Sequence, residues 1–260
     1  MSKVIYITLL SICLVLPSYA QVYKLSKHTD YSIAFGVTTL FAMDYVLLKS
    51  NQPLSATEAF QLDPQSVSGF ERNTIFKRSI FAGNWSDNIH FATFALPLSV
   101  LLTRKGHGDV STIGVMFVEA VSLNLSATFL TKFLFKRPRP FIYNPNTVLA
   151  DKQTRSATES FVSGHTSNSA LLGVFSATVF SKLFPNSKWK KPMWIAGLVL
   201  PATVGILRVE SGKHFPTDVI AGYGLGTLIG YLIPEQHRVD QRIKLSVVAP
   251  GSIGVVINLN

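Results

Sequence analysis

The sequence predicts an all-α, membrane-embedded helical bundle with a short β-like tail at its C-terminus. Only 15% of the 260 residues are charged and 47% are hydrophobic, with a mean hydropathy of +0.30. Soluble domains carry about 25% charged residues, so this composition favours a membrane protein. The second observation is a series of apolar segments, each close to the about 17–20 residues that cross a bilayer as a helix.

The two ends of the chain differ from its body. Lys3 gives a positive start, residues 4–16 form a short apolar core and the small residue Ala20 ends it, so residues 1–20 predict a secretory signal peptide. An uncleaved membrane helix is the alternative, and on either interpretation the chain is exported or inserted. Residues 241–260 hold two short β-branched runs around a Pro-Gly pair and predict a hairpin.

A helical domain is expected over residues 21–240, and residues 112–233 are its most informative part. Glycine, serine and threonine recur in its apolar segments and suit close helix contact in lipid, although they also suit a soluble bundle. Glu119 lies inside the longest segment and is expected to contact Asn124 or a neighbouring helix. The apolar segments are residues 31–48, 89–103, 112–131, 166–184, 193–207 and 217–233, and the polar connections include residues 49–88 and 144–160.

Basic residues predict which end of the bundle faces the cytoplasm. Arg104-Lys105 and the lysines of residues 182–192 mark two cytoplasmic loops by the positive-inside rule. Residues 132–163 and 208–218 then share the opposite, outer face. A cleaved N-terminus also starts outside, so residues 31–48 are expected to lie at the interface without crossing.

The formal net charge of +10 predicts an anionic partner, either a phosphate group or an anionic lipid. Nucleic acid is disfavoured, because the cations lie between apolar segments and form no basic helix or base-stacking aromatic patch. The only cysteine, Cys13, excludes a disulfide or a cysteine metal site within one chain.

Three blocks of polar residues fall at the outer ends of apolar segments, where they can face water beside a membrane. Together they supply three cations, a hydroxyl, a glycine and two histidines, one of which has a carboxylate four residues on. A phosphomonoester dianion needs several donors aimed at its oxygens, with further charge neutralisation in the transition state. The blocks are Lys132 and Arg139 before Pro140, then Ser163, Gly164 and His165, then Arg208, His214 and Asp218.

The predicted phosphate ligands are the cations and the small residues of these blocks. Arginine gives bidentate donors and lysine a point charge, which Lys132, Arg139 and Arg208 supply. Ser163 and Gly164 add a hydroxyl and a free N–H at the start of a helix whose dipole favours an anion. No metal ligand set is evident and no cofactor is expected, because three cations can do the work of a metal.

His214 is the predicted nucleophile. Asp218, bonded to one ring nitrogen, would fix the tautomer and make the other nitrogen the better nucleophile. Attack on phosphorus gives a phosphohistidine, while His165 protonates the leaving oxygen and later takes a proton from water. Each block alone is more often structural, as a helix end, a cap or a helix-start pair, so only the combination is specific.

The blocks resemble the type 2 phosphatidic acid phosphatase and vanadium haloperoxidase superfamily, whose pattern is Lys-x6-Arg-Pro, Pro-Ser-Gly-His and Ser-Arg-x5-His-x3-Asp. The resemblance covers residues 112–233 and implies that family's helical fold, with His214 as nucleophile, Asp218 as its partner and His165 as general acid. Val162 replaces the proline and Leu207 the serine of the pattern. Neither replacement removes a side chain with an assigned chemical step.

The resulting hypothesis is a lipid phosphate phosphatase in the inner membrane of a bacterium-like cell, with its site facing the periplasm. Its substrate would be a lipid-linked phosphomonoester or diphosphate. The first alternative is a soluble or peripheral periplasmic acid phosphatase, and the second is a weakly catalytic lipid-binding or assembly protein. The sequence defines neither the individual lipid nor the oligomeric state.

Overall fold

Helices form nearly all of the regular structure in this computed structural model. It describes residues 22–26, 30, 36, 39–40, 46–47, 52–239, 243–249 and 252–257. The helices of these ranges are α1 (Ala56–Gln61), α2 (Gly69–Arg72), α3 (Ile80–Ala92), α4 (Ala95–Leu101), α5 (Arg104–Gly108), α6 (Val110–Phe135), α7 (Pro140–Tyr143), α8 (Leu149–Lys152), α9 (Gly164–Leu183), α10 (Lys190–Glu210) and α11 (Pro216–Gln236). The all-α prediction is confirmed.

Helix α9 occupies the centre of the bundle. Most of its 20 residues are buried, and α6, α10, α11 and the pair α3–α4 pack around it. The main core joins Leu171 and Phe175 of α9 to Met116 of α6 and Ile229 of α11. The hydroxyls that this buried helix carries need partners inside the protein, and Ser176 Oγ accordingly donates to the Leu172 carbonyl oxygen at 2.6 Å.

Three glycines of α11 bring its backbone directly against that of α9. Gly222, Gly226 and Gly230 are four residues apart and therefore lie on one face of the helix. A Cβ at Gly226 would lie 1.9 Å from the Ser167 carbonyl oxygen, and the other two glycines face carbonyl oxygens of the same strip at 2.6 and 2.7 Å. The two backbones are thus too close to admit a side chain, in agreement with the close packing expected from small residues.

The outer faces of the long helices carry large apolar side chains. Val118 of α6, Ile195 of α10 and Ile220 of α11 are each more than half exposed. The stretches Val110–Tyr143 and Lys190–Glu210 are long and apolar enough to cross a membrane by length and composition, since each contains 18 consecutive residues with a mean hydropathy of 1.7 and 1.6, respectively. Exposed apolar surfaces of this kind mark contact with lipid or with another protein.

Four of the predicted apolar segments match α6, α9, α10 and α11; α6, α10 and α11 extend beyond the prediction at both ends, and α9 begins two residues earlier and ends one residue earlier. The prediction for residues 89–103 is wrong in its bounds, because α3 begins at Ile80 and a turn separates it from α4. The polar connection expected over residues 49–88 is also wrong, since its described part holds α1, α2 and most of α3. The helical signal of α3 was obscured because Ser86 and Asp87 face polar groups of the interior, where a lipid-facing helix would have apolar residues.

The C-terminal tail pairs strands β1 (Ile243–Ala249) and β2 (Ser252–Ile257) in antiparallel register, with Lys244 opposite Val256. This is the backbone arrangement of the predicted hairpin. The expected signal peptide, residues 1–20, and most of the expected interfacial segment, residues 31–48, lie outside the described residues.

Glu119 contacts a neighbouring helix end and not Asn124. Its Oε2 lies 3.2 Å from Nε2 of His237, the residue that follows α11. Asn124 instead accepts from Ser167 Oγ at 2.6 Å and donates to Asn168 Oδ1 at 2.5 Å. Of the two partners expected for Glu119, the structure shows the neighbouring helix, because residues five apart on a helix point to different sides.

We expect Gly226→Ala to lower the free energy of unfolding by about 1–3 kcal/mol, because the added methyl group overpacks the contact with α9. Gly224→Ala on the same helix is the matched control, since a Cβ there meets nothing within 4 Å. The control should change stability by at most about 1 kcal/mol, in the stabilising direction. Denaturant titration of the purified protein in detergent measures both, and equal stability of the two variants would contradict the close contact.

Candidate active site

The three polar blocks meet at one end of the bundle. Because successive long helices alternate in direction, this end collects the last turns of α6 and α10 and the first turns of α9 and α11. Lys132 lies in the last turn of α6, Arg139 precedes α7, Ser163 precedes α9, Gly164 and His165 open α9, Arg208 lies in the last turn of α10, His214 lies in the loop that follows, and Asp218 lies in the first turn of α11.

His214 is buried, with its ring fixed at both nitrogens. Nδ1 lies 2.8 Å from the carbonyl oxygen of Ser160. A carbonyl oxygen only accepts, so Nδ1 carries the hydrogen and Nε2 keeps its lone pair. Nε2 in turn lies 3.4 Å from Nη1 of Arg139. The nitrogen that the sequence predicts as the nucleophile, Nε2, therefore faces the guanidinium of Arg139.

Asp218 does not hydrogen-bond to His214, and this part of the sequence prediction was wrong. Its Oδ2 is 3.8 Å from Nδ1 of His214 and accepts instead from Ser160 Oγ at 2.5 Å and from the Phe215 amide at 2.8 Å. The second contact caps α11, as expected of a carboxylate in a first helical turn. Asp218 thus reaches His214 through Ser160, whose hydroxyl it holds and whose carbonyl holds the ring.

Arg137 supplies the remaining contact to Asp218. It donates from Nη1 to Asp218 Oδ1 at 2.5 Å and from Nη2 to Glu71 Oε2 at 2.6 Å. Its guanidinium also lies over the Phe215 ring, 4.3 Å from the centroid. The donors of Arg137 are occupied by two carboxylates and its face by an aromatic ring, so it is not one of the cations available to a phosphate group. Those cations are Lys132, Arg139 and Arg208, which together with the start of α9 are called the cage below.

Two of the predicted phosphate ligands are held by uncharged carbonyl groups. Lys132 Nζ donates to the Glu159 carbonyl oxygen at 2.7 Å. Arg139 donates from Nε to the Ser156 carbonyl at 2.7 Å and from Nη1 to the Lys213 carbonyl at 3.1 Å. Such partners orient a cation without cancelling its charge, so both remain able to attract an anion.

Asp87 of α3 is a site residue that the sequence analysis missed. Its Oδ1 accepts from Arg208 Nη1 at 3.0 Å and lies 3.1 Å from Nε2 of His165. Its Oδ2 lies 4.0 Å from Nζ of Lys213. Asp87 stands in a polar run with no fixed spacing to any block, so nothing in the sequence singled it out.

Arg208 is almost fully buried, yet one of its donors is unused. Nη1 is bonded to Asp87 and lies 3.4 Å from Ser86 Oγ, but Nε has no hydrogen-bond partner among the described residues. A buried guanidinium N–H without an acceptor is costly. An oxyanion bound in the cage would supply that acceptor.

Ser163 and Gly164 place the start of α9 beside the cage. Ser163 Oγ lies 2.9 Å from Thr166 Oγ1, and the Ser163 amide donates to the Asp218 carbonyl at 3.0 Å. The first N–H groups of a helix have no intrahelical acceptor and carry the positive end of its dipole. This turn therefore favours an anion by the orientation of its N–H groups, and Ser163 and Gly164 remain predicted phosphate ligands.

His165 lies between Asp87 and a second histidine. The rings of His90 and His165 have their centroids 4.8 Å apart, and His90 Nδ1 lies 2.9 Å from Ser169 Oγ. His90 was not predicted to belong to the site, since a single histidine in an apolar segment has no motif around it.

Both imidazoles of the blocks are neutral at neutral pH in the free protein. Burial, followed by the charges of Arg139 and Arg208, lowers the pKa of His214 well below its ordinary value. Burial, followed by the charges of Arg208 and His90, lowers the pKa of His165 to about 3, although Asp87 raises it. A negatively charged ligand bound among these cations would raise the pKa of a neighbouring ring, and that ring could then take up a proton.

The chain is similar to two curated phosphatases over part of its length. An undecaprenyl-diphosphatase from Sulfolobus acidocaldarius is 33% identical over 143 residues, which cover 53% of this chain and 60% of that protein. Phosphatidylglycerophosphatase B from Bacillus subtilis is 41% identical over 86 residues, which cover 33% of this chain and 41% of that protein. The chain thus spans about half the length of these relatives.

A solved structure and a family profile complete the comparison. The crystal structure of a transmembrane PAP2-type phosphatidylglycerolphosphate phosphatase from Bacillus subtilis aligns with a TM-score of 0.45 at 24% identity, over 76% of this chain and 93% of that one. The profile of the PAP2 superfamily matches residues 111–242, just over half of the chain and the part that contains all three blocks. The protein is therefore a member of the PAP2 superfamily.

Proposed function

We propose that this protein is a membrane phosphatase that hydrolyses a lipid-linked phosphomonoester or diphosphate through a phosphohistidine intermediate. The observation that carries the proposal is the buried neutral ring of His214, whose free Nε2 lies 3.4 Å from Arg139 in a cluster of three cations. The names of the two relatives support a lipid-linked phosphate as substrate, since undecaprenyl diphosphate and phosphatidylglycerophosphate are both of that class.

In the proposed complex, the phosphoryl group lies among Lys132, Arg139 and Arg208 with its phosphorus in line with Nε2 of His214. The unused Nε of Arg208 and the first N–H groups of α9 donate to its oxygens. The same donors stabilise the additional charge that develops on the equatorial oxygens in the transition state, so the site needs no movement at the moment of reaction.

The first step transfers the phosphoryl group to the ring. The lone pair of His214 Nε2 forms a bond to phosphorus while the bond from phosphorus to the leaving oxygen breaks. His165, which takes up a proton when the anionic substrate binds beside it, gives that proton to the leaving oxygen, and the lipid leaves as an alcohol or as a lipid monophosphate. The Ser160 carbonyl keeps the hydrogen on Nδ1 and stabilises the positive charge of the phosphorylated ring.

The second step returns the site to its starting state. His165, now neutral, takes a proton from a water molecule whose oxygen attacks phosphorus, and the bond from phosphorus to Nε2 breaks. Inorganic phosphate leaves, His214 is again neutral and His165 is again protonated. One histidine thus serves as acid and then as base.

The distribution of charge supports a site on the periplasmic side of the membrane. Lys105 Nζ donates to the Leu183 carbonyl oxygen at 3.0 Å, so α5 and the end of α9 lie together at the end of the bundle opposite the cage. By the positive-inside rule, this basic end faces the cytoplasm. It carries Arg104, Lys105, Lys182, Lys188, Lys190 and Lys191.

A cavity of about 280 Å³ beside the cage offers room for the polar part of the substrate. It is lined by Arg78 and Lys213, with Phe141 on one wall. Lys213 connects the cavity to the cage, because its carbonyl oxygen accepts from Arg139 and its ammonium group lies near Asp87. Asp151 also lines the cavity and pairs with Arg78 at 2.5 Å, so the cavity suits a polar group that hydrogen-bonds to both signs of charge.

We expect His214→Ala to reduce phosphate release by at least about 1,000-fold, because the nucleophile is lost. Undecaprenyl diphosphate and phosphatidylglycerophosphate in detergent micelles serve as substrates. The wild-type protein should acquire an acid-labile phosphoryl label, and the His214→Ala protein should not. His107→Ala is the matched control, since His107 is exposed and lies in α5 at the opposite end. A His214→Ala protein that is folded and turns over at the wild-type rate would refute the mechanism.

Asp87→Asn should lower kcat by about tenfold at neutral pH and shift the basic limb of its pH profile to lower pH. Asp87 raises the pKa of His165, so its loss makes the general acid give up its proton at lower pH. KM should not rise, because Arg208 keeps its charge. Asp109→Asn at the other end of α6 is the control, since its side chain makes no capping bond. An unshifted profile would show that Asp87 acts only on stability.

Vanadate should inhibit phosphate release below about 1 mM, because it adopts the five-coordinate geometry of the transition state. Lys132→Met should weaken this inhibition at least tenfold, as estimated roughly from the loss of one charged contact to the oxyanion. Steady-state inhibition of both proteins provides the measurement. A wild-type enzyme that is insensitive to vanadate would count against a cage formed by these cations.

A further inference from the structure

A second polar cluster lies at the end of the bundle opposite the cage. Asp30 Oδ1 lies 2.9 Å and Glu119 Oε2 lies 3.2 Å from Nε2 of His237. One ligand atom from each of the three side chains falls within 4.8 Å of the others. Two carboxylates and an imidazole thus point at a common centre.

The cluster is buried although it is strongly polar. The side chain of Glu119 is 9% exposed and that of His237 is 1% exposed. Glu119 Oε2 has no hydrogen-bond partner among the described residues, and no lysine or arginine of those residues forms an ion pair with Glu119 or Asp30. Burying a carboxylate oxygen in this way is unfavourable unless a positive charge faces it, and among the described residues that charge can come only from a protonated His237 ring or from a bound cation.

The ring of His237 is oriented as a metal ligand would be. Its Nδ1 lies 2.9 Å from the Ile233 carbonyl oxygen, which can only accept, so Nδ1 carries a hydrogen. The lone pair of a neutral ring is then on Nε2, directed at Asp30 and Glu119. Metal-binding histidines commonly have their second nitrogen fixed in this way by a backbone carbonyl.

We propose that Asp30, Glu119 and His237 form a binding site for a divalent transition-metal ion such as Zn²⁺. One imidazole nitrogen and two carboxylate oxygens suit Zn²⁺ or Mn²⁺ better than Mg²⁺, which prefers oxygen ligands alone. The separations of 2.9 and 3.2 Å are close to the about 3.3 Å between neighbouring ligands of a tetrahedral ion with bonds of about 2.0–2.1 Å. Three protein ligands leave the fourth position for water.

The site is distinct from the phosphate cage, and an ion bound there would stabilise the packing of the helices. His237 follows the 21-residue helix α11, whereas His214 precedes it, so about 30 Å separates the two. The backbone pairs the same region with the N-terminal segment, since the Lys24 amide donates to the His237 carbonyl at 2.8 Å and the Val239 amide to the Val22 carbonyl at 3.1 Å. A bound ion would therefore connect Asp30 to α6 and to the end of α11.

Zinc titration of the full chain tests the proposal without reference to activity. The protein is purified in detergent, stripped with a chelator and titrated with Zn²⁺, Mn²⁺ and Mg²⁺ by calorimetry. We expect one Zn²⁺ per chain, weaker or absent Mg²⁺ binding and a higher melting temperature with Zn²⁺. Glu119→Gln and His237→Gln should each weaken Zn²⁺ binding at least about 100-fold and abolish the thermal shift.

Two substitutions control for binding elsewhere on the surface. His107→Gln and Glu58→Gln remove an exposed histidine and an exposed carboxylate outside the cluster, so both should bind Zn²⁺ like the wild type. Equal binding by Glu119→Gln, or no stoichiometric binding by the wild type, would overturn the proposal. The cluster would then be a protonated His237 ring paired with two carboxylates.

X-ray absorption at the zinc edge of the wild-type complex decides the question even if the cluster variants do not fold. One imidazole and otherwise oxygen ligands at about 2.0–2.1 Å are expected, and an oxygen-only shell would contradict the site. Phosphate release depends on His214 at the other end of the bundle. A result that excludes the metal site would therefore leave the proposed phosphatase activity standing, and a result that excludes the phosphatase activity would leave the metal site standing.

Discussion

The buried carboxylate of Asp218 is the interaction on which the arrangement of the cage depends. It accepts from Arg137 just after α6, from Ser160 just before α9 and from the Phe215 amide at the start of α11. These three points belong to segments far apart in the chain, and each adjoins one of the polar blocks. A carboxylate that is fully buried must be satisfied by charged or strong donors, so the three segments are fixed to one another by the same requirement.

The cage tolerates its concentration of positive charge because most of its partners are neutral. Carbonyl groups of Ser156, Glu159 and Lys213 orient Lys132 and Arg139 while leaving their charge available. Asp87 is the exception, since it sits between Arg208 and His165. Its charge offsets part of the repulsion among the cations and raises the pKa of His165, so the same carboxylate influences both the positive charge of the cage and the protonation of that ring.

The sequence was sufficient where side chains act within a fixed local spacing. The blocks around Arg139, His165 and His214 are short, and apolar periodicity places each of them at a helix end, so their gathering at one end was predictable. The partner of His214 was not, because the Ser160 carbonyl belongs to the backbone and has no residue signature. Asp87 and the Asp30–Glu119–His237 cluster were missed for a related reason, since single residues from remote parts of the chain meet only once the helices have packed.

The glycine face of α11 sets a dimension of the reaction centre. Gly222 lies against the backbone of Ser163, with only 2.6 Å between its would-be Cβ and that carbonyl oxygen. The first turn of α9 and the start of α11, which His214 precedes, are therefore separated only by the thickness of their two backbones. Any side chain introduced at Gly222 would push the start of α9, with Ser163 and Gly164, away from the loop that holds His214.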